Sequence, residues 1–190
     1  MKKFAFILLA VGLPLAVTGL ANPSGVTING WPAAPTLALG AFVIQWLAFI
    51  PARLLQTERF YDLTGSATYI AVTLGAVVAA SEPTGAQVLI AIMIFIWAAR
   101  LGSFLFRRIH VAGGDQRFDQ IKISSSRFFV AWTLQGTWGV MTSCAAVTAV
   151  LSLEQPPLGP VYVVGAAMWV AGFAIEVIAD RQKSRFREDP

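Results

Sequence analysis

Near the end of the chain, "FAIEVIADRQKSRFREDP" sets Glu176, Asp180, Lys183 and Arg187 at intervals of four, three and four. That spacing puts all four on one face of a helix. Such a face can anchor a helix end through ion pairs or offer carboxylates and an ammonium group to a polar ligand. A second cluster lies in "RRIHVAGGDQRFDQIKISSSR" (107–127), where Arg117 and Lys122 stand beside Asp115 and Asp119, after Gly113 and Gly114. Basic side chains and exposed turn amides suit phosphate. Two adjacent glycines are not a phosphate-binding fingerprint, however, and a solvated loop has the same composition. A third set lies in an apolar stretch: Trp132, Gln135, Gly139 and Thr142 share a helical face, and Gln45 sits in another such stretch. Small residues and amides at these positions serve helix packing.

Several chemistries lack their residues. Cys144 is the only cysteine and His110 the only histidine, so no disulfide framework, cysteine metal site or histidine dyad can be built, and no metal is expected. His110 reads as an ordinary loop residue. The sequence contains no Gly-x-Ser-x-Gly, His-Glu-x-x-His or Walker motif, and no paired carboxylates inside an apolar run. With no charge at mid-membrane depth, a proton relay or an ion-coupled transporter has little support.

The elements that must position these groups follow from hydropathy. The chain has 190 residues, of which 13% are charged, against roughly 25% in a soluble domain. Charge-free runs cover 4–52, 63–81, 83–99, 128–153 and 155–175. About 20 apolar residues cross a bilayer as a helix, and the turn formers of "NPSGVTINGWP" (22–32) split the first run. The expected fold is an all-α polytopic membrane protein of about six transmembrane helices, near 4–21, 34–52, 64–81, 85–105, 128–152 and 158–179. It forms one membrane domain, with a loop at 106–127 and a tail at 180–190. All 14 Lys and Arg fall on one side of this arrangement. The positive-inside rule then places both termini and the 53–63 and 106–127 segments in the cytoplasm. The same bias accounts for the net charge of +4 without a nucleic-acid partner. "MKKFAFILLAVGLPLAVTGLA" also has the form of a signal peptide, but its apolar stretch is longer than usual and a retained helix is the preferred reading. The expected setting is the lipid bilayer of a bacterial inner membrane; the endoplasmic reticulum fits the same pattern.

Four stretches resemble an uncharacterised bacterial membrane family related to the steroid 5-alpha reductase C-terminal domain. They are "IWAARLGSFLFRRI" (96–109), "GGDQRFDQIK" (113–122), "FFVAWTLQGTW" (128–138) and "GFAIEVIADRQKSRF" (172–186), with a weaker match in "ERFYDLTGS" (58–66). The resemblance runs from about residue 40 to the end. It implies an NADPH-dependent reduction of a carbon–carbon double bond in an apolar, lipid-like substrate. Carried over by motif, Glu176, Asp180 and Lys183 belong to the cofactor-facing segment, and Arg117 and Asp119 help close the site. In the family this segment leads on to Gly-Leu-Trp, then Ser-Arg-His-Pro-Asn-Tyr and a further helix. The present sequence stops at Pro190, so it is expected to lack the family's C-terminal part and to be inactive alone unless a second chain completes the site. A non-catalytic membrane protein or partner subunit is the alternative, and a small transporter a weaker one.

Overall fold

The computed structural model describes residues 2–23, 25–154 and 158–188, with side chains placed for 4–23, 25–154 and 158–186. Some 80% of the described residues are helical, in six α-helices, so most backbone polar groups are satisfied within helices, as a bilayer requires. The chain divides into two compact units, 1–154 and 155–190.

The first unit begins with α1 (Lys2–Leu20), followed by a two-residue ladder of β1 (Thr27–Ile28) and β2 (Trp31–Pro32). Asn29 and Gly30 turn this hairpin with φ of 51° and 82°, the left-handed pair that a two-residue hairpin favours. Four long helices follow: α2 (Ala33–Leu54), α3 (Tyr61–Ala79), α4 (Gly85–Ala112) and α5 (Ser125–Leu151). A 3₁₀ turn at Gln116–Phe118 lies between the last two. Pro32 precedes α2 and supplies no capping side chain. Asn22 does so from a distance, its Oδ1 accepting the Ala34 N–H at 2.8 Å. At the start of α4, Thr84 and Gln87 form a capping box. The Gln87 amide also donates to the Val150 carbonyl at 2.7 Å, which ties this end of α4 to the last turn of α5.

Packing is close where residues are small. α2 lies against α1, α3 and α5, and α3 against α4 and α5. A Cβ on Gly136 would come within 2.8 Å of the Phe42 ring, and one on Gly102 within 2.7 Å of Ser66 Cβ. Small-residue contact is the usual way helices associate when lipid removes the hydrophobic drive between them. The outward faces are apolar: Leu9 is 64% exposed, Leu47 62% and Val78 71%. Side chains of this kind belong in hydrocarbon rather than water.

Among the described residues, five helices are long and apolar enough to cross a membrane: α2, α3, α4, α5 and, in the second unit, α6 (Pro160–Glu188). The apolar part of α1, Phe4–Leu20, is shorter; its 17 residues span about 25 Å, against about 30 Å of hydrocarbon. Two boundaries move from their expected places. α4 continues to Ala112 and α5 starts at Ser125, so the loop expected at 106–127 narrows to 113–124, and His110 is helical. Its ring lies against Phe106, centroids 4.3 Å apart. Likewise α6 continues to Glu188, through most of the expected tail. Residues 189–190 lie outside the described residues. Within α6, Trp169 and Phe173 stack with centroids 5.0 Å apart.

Candidate functional site at the basic end of the bundle

The turn after α2 and the loop after α4 fall at the same end of the first unit, together with Arg53, Arg59, Arg107, Arg108, Arg117, Lys122 and Arg127. Their meeting point is Glu58. It lies in the short connection to α3, where the Tyr61 N–H bonds the Glu58 carbonyl at 2.8 Å, and it is only 2% exposed. Burying a carboxylate is costly unless both oxygens find partners. Both do: Oε1 accepts the Asp115 N–H at 2.9 Å, and Oε2 meets Lys122 Nζ at 3.0 Å. Gly114 is part of the reason the loop comes so near, since a Cβ there would stand 3.1 Å from Oε1.

The loop is braced a second time from within. Asp115 accepts the Arg117 N–H at 3.0 Å and the Arg117 Nε–H at 2.9 Å, and its other oxygen pairs with Arg117 Nη2. These contacts hold the Asp115 carboxyl below the usual carboxylate range and raise the Arg117 guanidinium above its ordinary value. The hydrogen bond from Lys122 to Glu58 likewise raises the Lys122 ammonium, aided by Asp119 Oδ1 at 3.3 Å. Beneath the loop, Phe118 packs on Tyr61 and Phe128, with centroids 4.8 and 6.1 Å away. Tyr61 in turn donates its hydroxyl to the Ala131 carbonyl at 2.9 Å. Arg108 of α4 stands 3.7 Å from Asp62 of α3, an ion pair too long for a hydrogen bond.

Of the residues singled out by sequence, Arg117 and Asp119 thus belong to one folded loop with different partners. The Arg117 side chain is 68% exposed. Bound to Asp115 through one edge, it keeps donors for an anion. Lys122 is spoken for by two carboxylates. In the second unit, Glu176, Asp180 and Lys183 lie within two turns of α6, where Ser184 Oγ donates to the Asp180 carbonyl at 3.0 Å. On the α5 face of Trp132, Gln135, Gly139 and Thr142, Trp132 is fully buried, whereas a Cβ on Gly139 would meet nothing within 4 Å. Gln135 donates to the Tyr61 carbonyl at 3.1 Å, and Thr142 Oγ1 lies 2.5 Å from Tyr69 Oη. Gln45 donates to Thr68 Oγ1 at 2.8 Å. The organising role of Glu58 had no signal in spacing, because its partners lie 57 and 64 residues away.

A family model described as "Protein of unknown function (DUF1295)" matches residues 48–190. No curated protein and no solved structure matches the chain.

Proposed function

The chain belongs to the DUF1295 family of proteins of unknown function, and from that premise we propose that it is a membrane-embedded reductase of a lipid-like substrate, drawing hydride from NADPH. The reading begins from the resemblance of residues 96–109, 113–122, 128–138 and 172–186 to the steroid 5-alpha reductase C-terminal domain. The observation that carries it is the state of Arg117. Its guanidinium is held on one edge by Asp115 and open to water on the other, a pre-organised contact for a phosphate group. By the same resemblance, Glu176, Asp180 and Lys183 of α6 are proposed as cofactor-binding residues within the second unit. Asp119 serves by steadying Lys122 rather than by touching the ligand. One carbon of the double bond would take the hydride from NADPH and the other a proton from a donor on the protein, which also supplies position and charge. The setting proposed is the bacterial inner membrane, with the basic end of the bundle toward the cytoplasm.

A second reading is a non-catalytic membrane protein. What favours it is that the loop charges satisfy one another: Lys122 with Glu58 and Asp119, Arg117 with Asp115. Such a loop is complete without a ligand. NADPH titration into native membranes, where any second chain that completes the site is also present, separates the two. The reductase reading expects saturable binding by the wild type. It also expects Asp180→Ala to weaken binding about tenfold, the worth of one charge-assisted hydrogen bond, with the melting temperature unchanged. Unaltered affinity in Asp180→Ala removes that residue from the site. No binding by the wild type leaves the non-catalytic reading.

A further inference from the structure

We propose that the basic end of the first unit carries a binding groove for an anionic phospholipid, independent of any reductase activity. A groove of about 450 Å³ opens beside the first turns of α5. Phe6 of α1, Ile121 of the loop, and Val130, Ala131 and Leu134 of α5 line it, with Arg127 as the only charged wall residue among the described residues. Apolar walls of this kind suit an acyl chain, which gains from leaving neither water nor an open gap beside Phe6 and Leu134.

The headgroup is chosen by charge. At this end of the unit the carboxylates are already engaged: Glu58 with Lys122, Asp62 with Arg108, Asp115 with Arg117, and Asp119 with Lys122. Among the described residues at this end, Arg53, Arg59, Arg107 and Arg127 have no acidic partner, and of these Arg127 lines the groove. Arg53 Nε donates to Ser125 Oγ at 2.7 Å, which brings a second guanidinium to the same first turn of α5. Two unpaired guanidinium groups and the positive end of a helix favour a phosphate there. The apolar groove beside them makes a lipid, rather than a free phosphate, the ligand that uses both features. An uncharged lipid would leave the arginines uncompensated at the hydrocarbon boundary.

The test uses the full chain in phosphatidylcholine nanodiscs, with and without phosphatidylglycerol, read by thermal melting and by native mass spectrometry of retained lipid. The wild type should melt higher with phosphatidylglycerol and carry it through purification. Arg127→Gln, at an exposed position, should bind it about fivefold more weakly, in keeping with the worth of one basic residue at an anionic surface. Leu134→Ser should also lose retained lipid by disturbing the acyl wall. Arg107→Gln, equally basic and at the same end but outside the groove, should behave as wild type. Three results would each overturn the proposal. The first is an equal loss in Arg107→Gln, which would mean diffuse attraction to the surface. The second is an equal melting shift from inorganic phosphate alone, which would make the groove irrelevant. The third is equal retention of phosphatidylcholine, which would mean that charge makes no selection.

Discussion

Glu58 decides how the basic end is built, because a carboxylate that is 2% exposed has no water to fall back on. Replacing it by alanine strands the Asp115 N–H and leaves the Lys122 ammonium with Asp119 alone. The expected cost is about 2–3 kcal/mol in unfolding free energy, below the figure for a fully buried pair because Lys122 is partly exposed. Glu58→Gln keeps an acceptor for Asp115 and should cost less. Limited proteolysis gives the local readout: cleavage within 113–124 should rise in Glu58→Ala more than in Glu58→Gln. The loop also has two pH limits. The depressed Asp115 acid gives stability that is present above its ordinary value of 3.8 and lost as pH falls through the lower folded value. The raised Lys122 ammonium gives stability that is present below its ordinary value of 10.5 and lost as pH rises through the higher folded value. Proteolytic protection of the loop should therefore be flat through neutral pH and fall at both extremes. Asp115→Asn should abolish its own part of the acid limb and leave the alkaline one.

At the scale of the element, small residues set how near the helices come. Phe42 is fully buried, and a methyl group at position 136 would drive into its ring. Gly136→Ala should destabilise by about 1–3 kcal/mol through overpacking. Gly139→Ala, three residues along the same helix with nothing within 4 Å of the added carbon, should be close to neutral. Paired thermal melts of the two variants in one detergent check this. The element boundaries show what hydropathy can and cannot deliver. Apolar runs located all the long helices, because burial in lipid demands about 20 such residues. They misplaced the ends of α4 and α6. A drop in hydropathy marks where the hydrocarbon stops, and a helix stops only where its backbone bonds do. Arg107, Arg108 and His110 suit the negative end of α4, and the helix closes at Gly113, with φ 77°, where a left-handed residue is needed. In α6 the four-and-three spacing of Glu176, Asp180 and Lys183 supports a helix just as well as an apolar stretch does.

Across the whole molecule, the apolar exterior and five long helices make the chain an integral membrane protein of its family. The one-sided placement of Lys and Arg makes a sharper expectation about direction. In a Cys144→Ser background, a membrane-impermeant thiol reagent applied to intact cells should label Glu82→Cys and leave Gln120→Cys untouched until the membrane is opened. The opposite pattern reverses the orientation. The candidate site was legible only in part at this scale. Arg117 and Asp119 were visible as a charged loop, since composition reveals which groups are polar. That Arg117 stays open to water while Lys122 is closed off depends on Glu58, brought in from the other side of two helices, and no local pattern carries that information.

The three-way contact of Glu58 with the Asp115 amide and Lys122 also constrains how this part of the chain can drift over generations. Losing Lys122 alone leaves the buried Glu58 carboxylate without its cation, whereas losing Glu58 leaves Lys122 with Asp119 but strands the Asp115 N–H. Position 122 should therefore stay basic for as long as Glu58 stands, and position 58 should keep an acceptor whatever stands at 122, while position 115, which contributes only a backbone N–H to Glu58, is free of that constraint.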